Sequence, residues 1–321
     1  MLDDMGRDIH YLRLSMTDRC NLRCAYCMPA GGVDLLSHAD ILTFEEIERL
    51  LRLMTGLGIR RLKITGGEPL VRRGTIDLMR RAGDLPGIEQ ITLTTNGVLL
   101  EQYLDDIATM GIGGINISID TLRRDRYERL TGFDGLDRVL RSIERASAIL
   151  PVKLNVVPVG GVNDAELCYL AEFAREKVVA VRFIELMPVG HASRFGHIDT
   201  ETVKAMMEAR FGTMERCVDR IGNGPAVYVR PHGFKGKIGF IHAMSEAFCG
   251  ACNRVRLTAD GRFMPCLGQP DYTDLKQLLR SGATDAELTK RIRQTIAAKP
   301  AHHGFLNEAN PASRDMNAIG G

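Results

Sequence analysis

Three cysteines fall within eight residues near the start of the chain, as Cys20, Cys24 and Cys27. Their spacing, C-x3-C-x2-C, lets all three thiolates bind one metal centre without ligands from distant loops. A closed zinc site or an ordinary iron–sulfur cluster takes four protein ligands, and this stretch offers three. On a four-iron cluster, three thiolates leave one iron without a protein ligand, and reactive metal sites keep such an open position. This first cysteine triad therefore predicts a reactive cluster.

A second set of three cysteines, Cys249, Cys252 and Cys266, has the spacing C-x2-C-x13-C and no obvious fourth partner. One alternative is half of a zinc ribbon, completed by His242 or another histidine. Another alternative pools all six cysteines into one structural site. Beside the first cysteine triad, a second open iron–sulfur cluster is the better interpretation of this second cysteine triad.

Paired glycines occur at two positions where backbone could approach a ligand closely. Gly66 and Gly67 end a predicted strand and precede Glu68, whose carboxylate could accept a hydrogen bond from an ammonium group. The alternative there is a plain turn between a strand and a helix. The last two residues, Gly320 and Gly321, have no side chain and could enter a narrow cleft; the alternative is a frayed terminus.

Basic residues are the remaining chemical signal. The chain has no G-x-x-x-x-G-K-[ST] phosphate loop, so a phosphorylated ligand would have to be held by side-chain cations. Cations on or beside predicted strands are Arg13, Lys63, Lys153, Arg254 and Arg256. Such side chains either point into a pocket, where guanidinium and ammonium groups suit phosphate, or face solvent. For any one of them taken alone, solvent is the commoner outcome.

The composition excludes several classes of protein. With 321 residues and 45% hydrophobic content, the chain is long enough for a large core. The 42 basic and 40 acidic residues leave a net charge of +2, which does not favour a nucleic-acid polymer or an anionic membrane as a partner. No apolar run reaches transmembrane length, and the polar N-terminus does not resemble a signal peptide. We expect the chain to be cytoplasmic, and eight cysteines in such a chain indicate metal binding or catalysis rather than disulfides.

Short apolar runs alternate with amphipathic helices over the first two-thirds of the chain. The predicted strands cover residues 11–16, 61–65, 90–95, 114–120, 152–159 and 179–186. The predicted helices cover residues 99–110, 136–150 and 164–177, and a capping box formed by Thr43 and Glu46 begins another. Repeated β-then-α units imply parallel strands joined by right-handed crossovers. The first cysteine triad, Gly66-Gly67 and Asn96-Gly97 all follow such strands, so we expect them at the carboxyl ends of the strands.

The pattern changes after residue 190. Here the predicted helices cover residues 200–211, 274–280 and 285–298, and the predicted strands cover residues 226–230, 237–241 and 254–258. We therefore predict an α/β fold, with a partial (β/α)6 TIM-like barrel and a smaller C-terminal α+β domain. The core domain is placed at residues 5–220 and the C-terminal domain at residues 221–321.

Several of these motifs together resemble one family. The first cysteine triad, with Tyr26 before its last cysteine, resembles the signature of the radical S-adenosylmethionine (radical SAM) superfamily. The segment Gly66-Gly67-Glu68-Pro69 resembles the element of that superfamily that contacts methionine. Longer stretches resemble the MoaA family, the GTP 3',8-cyclases of molybdenum cofactor biosynthesis. These are residues 14–20, 64–69 and 249–258, Cys266-Leu267 and the terminal Ile-Gly-Gly, so the resemblance extends over nearly the whole chain.

The resemblance implies a radical enzyme with two [4Fe–4S] clusters. A cluster on the first cysteine triad would bind S-adenosylmethionine at its open iron and, when reduced, would yield a 5'-deoxyadenosyl radical. That radical would take a hydrogen atom from the ribose 3' carbon of GTP. The ribose carbon would then close on C8 of guanine, giving (8S)-3',8-cyclo-7,8-dihydroguanosine 5'-triphosphate. A cluster on the second cysteine triad would hold the purine at its own open iron.

The resemblance also implies roles for particular residues. The residues that resemble the S-adenosylmethionine contacts are Tyr26, Gly67, Ser118 and Met187. The residues that resemble the GTP contacts are Arg13, Lys63, Thr94, Lys153, Arg254 and Arg256. Arg182 resembles a basic residue of the cavity, and Gly320 and Gly321 resemble a tail that directs hydrogen abstraction. Lys63 stands where the family usually has arginine, so the charge is kept and the bidentate fork of donors is lost.

The resemblance further implies an electron donor, a homodimer and transfer of the product to the next enzyme of the pathway. Two alternatives stay open from the sequence. One is another radical SAM enzyme with an accessory cluster, such as a peptide-modifying one, in which radical formation would not depend on GTP. The other is a non-catalytic zinc or iron–sulfur protein that acts in structure, sensing or electron transfer and does not turn over S-adenosylmethionine.

Overall fold

The chain folds into two compact units, each built from separate stretches of sequence. The computed structural model describes residues 1–29, 31–218, 221–245, 248–305 and 314–320. The first unit comprises Met1–Asn21, Gly31–Leu93 and Cys249–Gly321, and the second unit comprises Leu22–Ala30 and Thr94–Phe248. The boundary between the units thus falls within the first cysteine triad. The division into residues 5–220 and 221–321 stays a prediction.

Strands are distributed along the whole chain. They are β1 (Tyr11–Ser15), β2 (Arg61–Thr65), β3 (Gln90–Thr95), β4 (Ile115–Ser118), β5 (Val152–Val156), β6 (Val159–Gly160), β7 (Ala180–Ile184), β8 (Gly196–His197), β9 (Met214–Cys217), β10 (Val227–Pro231), β11 (Lys237–Ile241), β12 (Arg254–Leu257), β13 (Arg262–Met264) and β14 (Thr273–Asp274).

Helices separate most of these strands. They are α1 (Phe44–Gly56), α2 (Thr75–Gly83), α3 (Leu104–Ala108), α4 (Arg124–Thr131), α5 (Leu136–Ile149), α6 (Leu167–Ala171), α7 (Phe173–Glu176), α8 (Thr200–Phe211), α9 (Leu275–Arg280), α10 (Asp285–Ala297) and α11 (Met316–Ile319). Short 3-10 turns lie at His38–Asp40, Pro69–Val71, Leu100–Tyr103, Asp164–Glu166, Gly190–Arg194 and Phe248–Ala251.

The first unit contains a mostly parallel sheet with the strand order β14-β13-β12-β1-β2-β3. Strands β12, β1, β2 and β3 run parallel, while β13 and β14 are antiparallel to their neighbours. Leu12 and Leu14 of β1 are fully buried, and polar side chains alternate with them. Because alternate residues of a strand point to opposite faces, β1 presents one apolar face and one polar face.

The helix α1 begins as the sequence predicted. The backbone N–H of Glu46 donates to Thr43 Oγ1 at 3.1 Å, and the backbone N–H of Thr43 donates to Glu46 Oε2 at 2.7 Å. Each side chain thus satisfies a backbone donor that the first turn leaves without a partner, so the capping box is confirmed. The apolar residues Ile47, Leu50, Leu51 and Met54 are buried along one face of the helix.

The second unit contains the strand order β4-β5-β7-β11-β10-β9, and a separate ribbon of β6 and β8. Strands β4, β5, β7 and β11 run parallel, and β10 and β9 continue the sheet antiparallel. Large apolar side chains such as Leu154, Phe183 and Phe240 are buried in these strands. The prediction of a mixed α/β fold with a large parallel sheet is therefore confirmed.

Several predicted helices are shorter or interrupted. The segment predicted as a helix over residues 99–110 is a 3-10 turn, Leu100–Tyr103, followed by α3. Tyr103 causes the break because its backbone, at φ −115° and ψ 2°, leaves the helical region. The segment 164–177 is likewise divided among a 3-10 turn, α6 and α7. Among the described residues, no helix combines the length and the apolar character needed to cross a membrane.

Candidate functional site

Three of the predicted phosphate-binding cations lie side by side in the first unit. Arg13 of β1 is opposite Arg256 of β12 on one side and Lys63 of β2 on the other. Directly opposed residues of parallel strands point to the same face, and neighbouring strands lie about 4.8 Å apart. Arg256, Arg13 and Lys63 form a cation row. Beyond Lys63, the uncharged Thr92 of β3 lies at the next position across the sheet. Lys63 and Arg256 are each only 8% exposed, so a solvent-facing position is wrong for both.

The electrostatics of the cation row favour an anionic ligand. Burial and the positive charges of Arg13 and Arg254 lower the pKa of Arg256 well below its usual value. Arg254 also lies two residues before Arg256 on β12, and therefore on the same face of that strand. Like charges that are buried together repel each other, and a bound phosphate relieves that repulsion while accepting their hydrogen bonds.

The C-terminal tail segment, residues 314–320, reaches the cation row. The guanidinium Nη1 of Arg256 donates to the backbone oxygen of Gly320 at 2.6 Å. Gly320 has a φ of +86°, and a Cβ there would lie 2.8 Å from Ser15 Cβ. The position therefore requires glycine for two reasons: glycine readily adopts this positive φ, and there is no room for a Cβ. A frayed terminus is wrong for Gly320, whereas Gly321 lies outside the described residues.

Two further hydrogen bonds hold the tail segment in the first unit. Asn317, on α11, donates from Nδ2 to the backbone oxygen of Asp18 at 2.9 Å. Arg314 forms an ion pair with Asp260 at 3.0 Å, at the start of the segment. These contacts hold the start of α11 and the residues before it, so the position of Gly320 does not depend on its own hydrogen bond alone.

Gly66 and Gly67 lie against the segment that leads into Cys20. The backbone N–H of Gly67 donates to Thr17 O at 2.7 Å, and a Cβ on Gly67 would lie 2.5 Å from Arg19 O. The buried carboxylate of Glu68 accepts from the backbone N–H of Leu70 at 3.0 Å. The glycines therefore do more than form a turn, because they let two backbone segments approach beside Cys20.

The second cysteine triad also lies in the first unit, and its thiols influence one another. Burial raises the pKa of Cys266, and the thiols of Cys252 and Cys249 raise it further. Burial raises the pKa of Cys252 as well, but the positive charges of Arg254 and Lys299 outweigh this effect and lower that pKa to about 7. Cys252 is therefore readily present as the thiolate, the form that binds metal.

The chemistry of the cysteine thiols determines which metal group the protein could hold. No disulfide joins any of the eight cysteines. Across the described ranges, no group of three or more His, Cys, Asp or Glu side chains is arranged to hold a single metal ion. A single zinc ion needs every ligand within about 2.3 Å, whereas the ligands of a cluster are spread over several irons. Three thiols that influence one another's pKa values, with the pKa of Cys252 lowered to about 7, are soft donors of the kind that an iron–sulfur cluster takes.

In the second unit, Arg182 of β7 is oriented by two asparagines. Its Nη2 donates to Asn116 Oδ1 at 2.6 Å, and its Nε donates to Asn155 Oδ1 at 3.0 Å. Asn116 in turn donates to Thr94 Oγ1 at 3.4 Å, which connects two of the predicted site residues. The sequence analysis missed both asparagines. The sequence did hold a signal for them, because residues two apart on a strand share a face. Asn116 lies two residues before Ser118 on β4, and Asn155 lies two residues after Lys153 on β5.

Lys153 lies beside this group. It is 7% exposed and sits opposite Asn116 in the register of β4 and β5. Burial, and then the positive charge of Arg182, lower the pKa of Lys153 to about 8. Gly222 also approaches the ammonium group, because a Cβ at that glycine would lie 2.8 Å from Lys153 Nζ. The site in this unit therefore contains a cation that titrates near neutral pH.

The remaining part of the first cysteine triad, Cys24 and Cys27, lies in the second unit with Tyr26. The Tyr26 hydroxyl donates to Asp120 Oδ2 at 2.5 Å. Burial, the negative charge of Asp120 and the two thiols raise the pKa of Tyr26 well above its usual value. Burial also raises the pKa of Asp120 to about 6. Asp120 was not predicted, and it fixes the ring of Tyr26 within the cysteine segment.

The other predicted S-adenosylmethionine contacts lie at strand ends. Ser118 is the last residue of β4, and Met187 follows the end of β7 by three residues. Both are partly buried. The segment around Cys24 is held by residues distant in sequence, since the backbone N–H groups of Arg23 and Ala25 donate to the backbone oxygens of Thr131 and Leu130 at the end of α4.

Comparisons with known proteins define the class of this chain. The model of the Radical SAM superfamily matches residues 14–174, which is half of the chain. The model described as Molybdenum Cofactor Synthesis C matches residues 179–305. Among solved structures, Streptococcus suis SuiB bound to precursor peptide SuiA is similar with a TM-score of 0.62 and 15% identity, covering 94% of this chain and 67% of SuiB. SuiB bound to S-adenosylmethionine gives a TM-score of 0.60 at 15% identity, with 89% and 68% covered. At this identity the likeness shows the fold alone.

Full-length relatives define the family more narrowly. A protein named GTP 3',8-cyclase from Heliobacterium modesticaldum is 45% identical over 327 residues, with all of both chains covered. A protein of the same name from Moorella thermoacetica is also 45% identical, over 325 residues and again with full coverage of both chains. The chain therefore belongs to the GTP 3',8-cyclase family of the radical SAM superfamily. Membership of that superfamily implies S-adenosylmethionine and an iron–sulfur cluster as cofactors.

Proposed function

We propose that this protein is a GTP 3',8-cyclase, which converts GTP to (8S)-3',8-cyclo-7,8-dihydroguanosine 5'-triphosphate in the first step of molybdenum cofactor biosynthesis. The observation that carries the proposal is the buried cation row in the first unit, with Gly320 hydrogen-bonded to Arg256. A row of buried cations suits a polyphosphate, and the chain has no phosphate loop that would hold one by another route. The full-length relatives named for this activity support the same function.

Different residues of the chain would bind the cluster and S-adenosylmethionine in such a reaction. Cys20, Cys24 and Cys27 would hold a [4Fe–4S] cluster through three thiolates. With S-adenosylmethionine bound and one electron supplied by an electron donor, this cofactor pair would supply a 5'-deoxyadenosyl radical together with methionine. The residues proposed to contact S-adenosylmethionine are Tyr26, Gly67, Ser118 and Met187. Asp120 would support this set by fixing the Tyr26 ring, and the close approach at Gly67 leaves no room for a side chain.

The substrate would be held by charge and oriented by hydrogen bonds. The proposed GTP contacts are Arg13, Lys63, Thr94, Lys153, Arg254 and Arg256. A second [4Fe–4S] cluster on Cys249, Cys252 and Cys266 would bind the purine. Arg182 would act in the cavity with its direction fixed by the two asparagines. Gly320 and Gly321 would place the tail so that the ribose 3' hydrogen is the one removed, because small errors of position are costly in such steps.

The decisive experiment is an anaerobic assay of the reconstituted protein with a strong reductant and S-adenosylmethionine, with and without GTP. Mass spectrometry would follow 5'-deoxyadenosine and any product with the mass of GTP and altered chromatography. We expect both to form, with 5'-deoxyadenosine dependent on GTP. Equal 5'-deoxyadenosine without GTP would favour a radical SAM enzyme with another substrate. Two zinc ions and intact S-adenosylmethionine would favour the non-catalytic alternative.

The proposal also covers the oligomeric state, the electron donor, the transfer of the product and the domain bounds. It includes a cytoplasmic homodimer, an electron donor that reduces the cluster, and transfer of the product to the next enzyme of the pathway. It also assigns residues 5–220 to the radical SAM core domain and residues 221–321 to a domain that carries the second cluster and the tail. Sedimentation analysis of the anaerobic holoenzyme tests the dimer, because a single species of 35.5 kDa would contradict it.

A further inference from the structure

Lys299 is a buried cation that the proposed reaction does not use. It lies two residues after the end of α10 and is 5% exposed. Its ammonium group donates to the backbone oxygen of Arg254 at 2.9 Å and to that of Pro265 at 2.5 Å. Arg254 lies two residues after Cys252, and Pro265 immediately precedes Cys266. One ammonium group thus joins the two segments that carry these cysteines.

Arg7 makes similar contacts with backbone oxygens at Cys249 of the second cysteine triad and at Lys299. Its guanidinium donates to the backbone oxygens of Cys249 and Lys299, each at 2.9 Å. The charge of Arg7, however, is balanced within the protein, because its Nε donates to the buried carboxylate of Asp3 at 2.6 Å. Arg7 and Asp3 together are therefore a neutral structural pair.

Lys299 has no such balancing carboxylate among the residues that the structure describes. In the part of the chain that the structure describes, no Asp or Glu forms an ion pair with it. A buried ammonium group without a counter-charge is costly, and hydrogen bonds to two carbonyl oxygens compensate only part of that cost. The two carbonyl groups that hold the ammonium group belong to Arg254 and Pro265, two residues after Cys252 and one before Cys266, so its charge lies beside the second cysteine triad. The local charge therefore calls for an anion at the second cysteine triad.

We propose that Lys299 is a positioning residue of the second cysteine triad, and that its ammonium group is the built-in counter-charge of an anionic iron–sulfur cluster at that triad. This inference rests on the proposed function, which supplies the second cluster. Reduction by one electron adds one negative charge beside a fixed positive charge. Lys299 therefore stabilises the reduced state and raises the reduction potential, since charge near a cluster is one of the factors that set it.

The test uses the full chain with Cys20, Cys24 and Cys27 changed to serine, so that any cluster belongs to the second cysteine triad. In this parent, Lys299→Gln removes the charge and Lys299→Arg keeps it. The control is the double variant Asp3→Asn with Arg7→Gln, which removes a neutral pair of similar burial. After anaerobic reconstitution, the measurements are iron and sulfide content and the midpoint potential from a reductive titration followed by electron paramagnetic resonance.

We expect Lys299→Gln to shift the midpoint potential to a more negative value, while Lys299→Arg and the double variant leave it close to that of the parent. An unchanged potential in Lys299→Gln at equal iron content would overturn the role of Lys299 alone. A parent that binds no cluster would contradict the second cluster of the proposed function and this inference with it. If Lys299→Gln fails to fold, Lys299→Arg decides, because a lowered potential in that variant would contradict the proposal.

Discussion

Two buried arginines, one in each unit, have neighbours of different charge. Arg256 in the first unit lies beside Arg13 and Arg254, and its guanidinium donates to the tail carbonyl of Gly320. Arg182 in the second unit lies between the side-chain oxygens of Asn116 and Asn155. Like charges make Arg256 unfavourable until an anion binds, whereas neutral acceptors fix the direction of Arg182 without any ligand. We therefore expect Arg256 to contribute mainly to ligand affinity and Arg182 mainly to ligand orientation.

The largest effect is expected where the first unit combines charge with close packing. Gly320→Ala would force a side chain into a backbone of φ +86° and place its Cβ 2.8 Å from Ser15 Cβ. The tail would shift, and we expect product formation to fall by about 100-fold or more while cluster content is retained. Gly282→Ala is the matched control, with φ +85° and no atom within 4 Å of the new Cβ. Equal activity of the two variants would remove Gly320 from the site.

The comparison of the two arginines can be tested directly by binding. Arg256→Met removes a proposed charged contact with the GTP phosphates, so we expect the Kd for GTP to rise by about 10- to 100-fold, as charge-assisted hydrogen bonds contribute about 1.5–3 kcal/mol. Isothermal titration of the anaerobic protein measures it. Arg182→Met should change the Kd less and kcat more. Arg49→Met, which removes an arginine paired with Asp285, is the control. Equal effects of both site variants on Kd would abolish the distinction.

A smaller effect is expected from the group that orients Arg182. Asn155→Ala removes an acceptor for Nε and Nη2, so the guanidinium loses its fixed direction. We expect kcat to fall by about tenfold with little change in the Kd for GTP. Asn155→Asp restores an acceptor but neutralises the positive charge of Arg182. This variant should therefore recover the orientation of Arg182 and weaken GTP binding. A kcat that is unchanged in a well-folded Asn155→Ala variant would show that Arg182 needs no such support.

The smallest effect concerns pH. The pKa of Lys153 is lowered from 10.5 to about 8, so the native ammonium group loses its proton as the pH rises through that value. GTP affinity should therefore weaken above pH 8, by less than about tenfold between pH 8 and pH 9. Stability changes the other way: between the two pKa values the unfolded chain binds more protons, so the free protein becomes more stable as the pH rises. Lys153→Arg, which keeps its charge, should abolish the weakening; a pH profile of Kd identical to the parent would contradict this assignment.

The sequence predicted those features that depend on local pattern. The capping box at Thr43, the bounds of β2 and α8, and both cysteine spacings needed only neighbouring residues to be recognised. The cation row was predicted as separate candidates, because nothing local states that Arg13 lies opposite both Lys63 and Arg256. That register comes from sheet pairing between distant segments.

The supporting residues could not be predicted for the same reason. Asp120 is read as an ordinary polar residue at a strand end until its carboxylate is seen to accept from Tyr26. Lys299 follows an amphipathic helix, where a solvated lysine is the usual expectation. Its burial results from contact with the backbone near Cys252 and Cys266, which lie in other segments of the chain. Chemistry can therefore be recognised from residue types, while the residues that position it require the tertiary structure.

The pairing of β1 with β12 has a consequence for how the protein is made. β1 emerges among the first residues of the chain, and one of its edges pairs with β12, which begins at Arg254. Until that late segment leaves the ribosome, this edge of β1 has no partner strand, and open edges invite pairing with other chains. Pairing of such distant segments is also slow, since a long loop must close. The nascent chain therefore depends on its last fifth to cover an aggregation-prone edge, and truncation before β12 should yield insoluble protein.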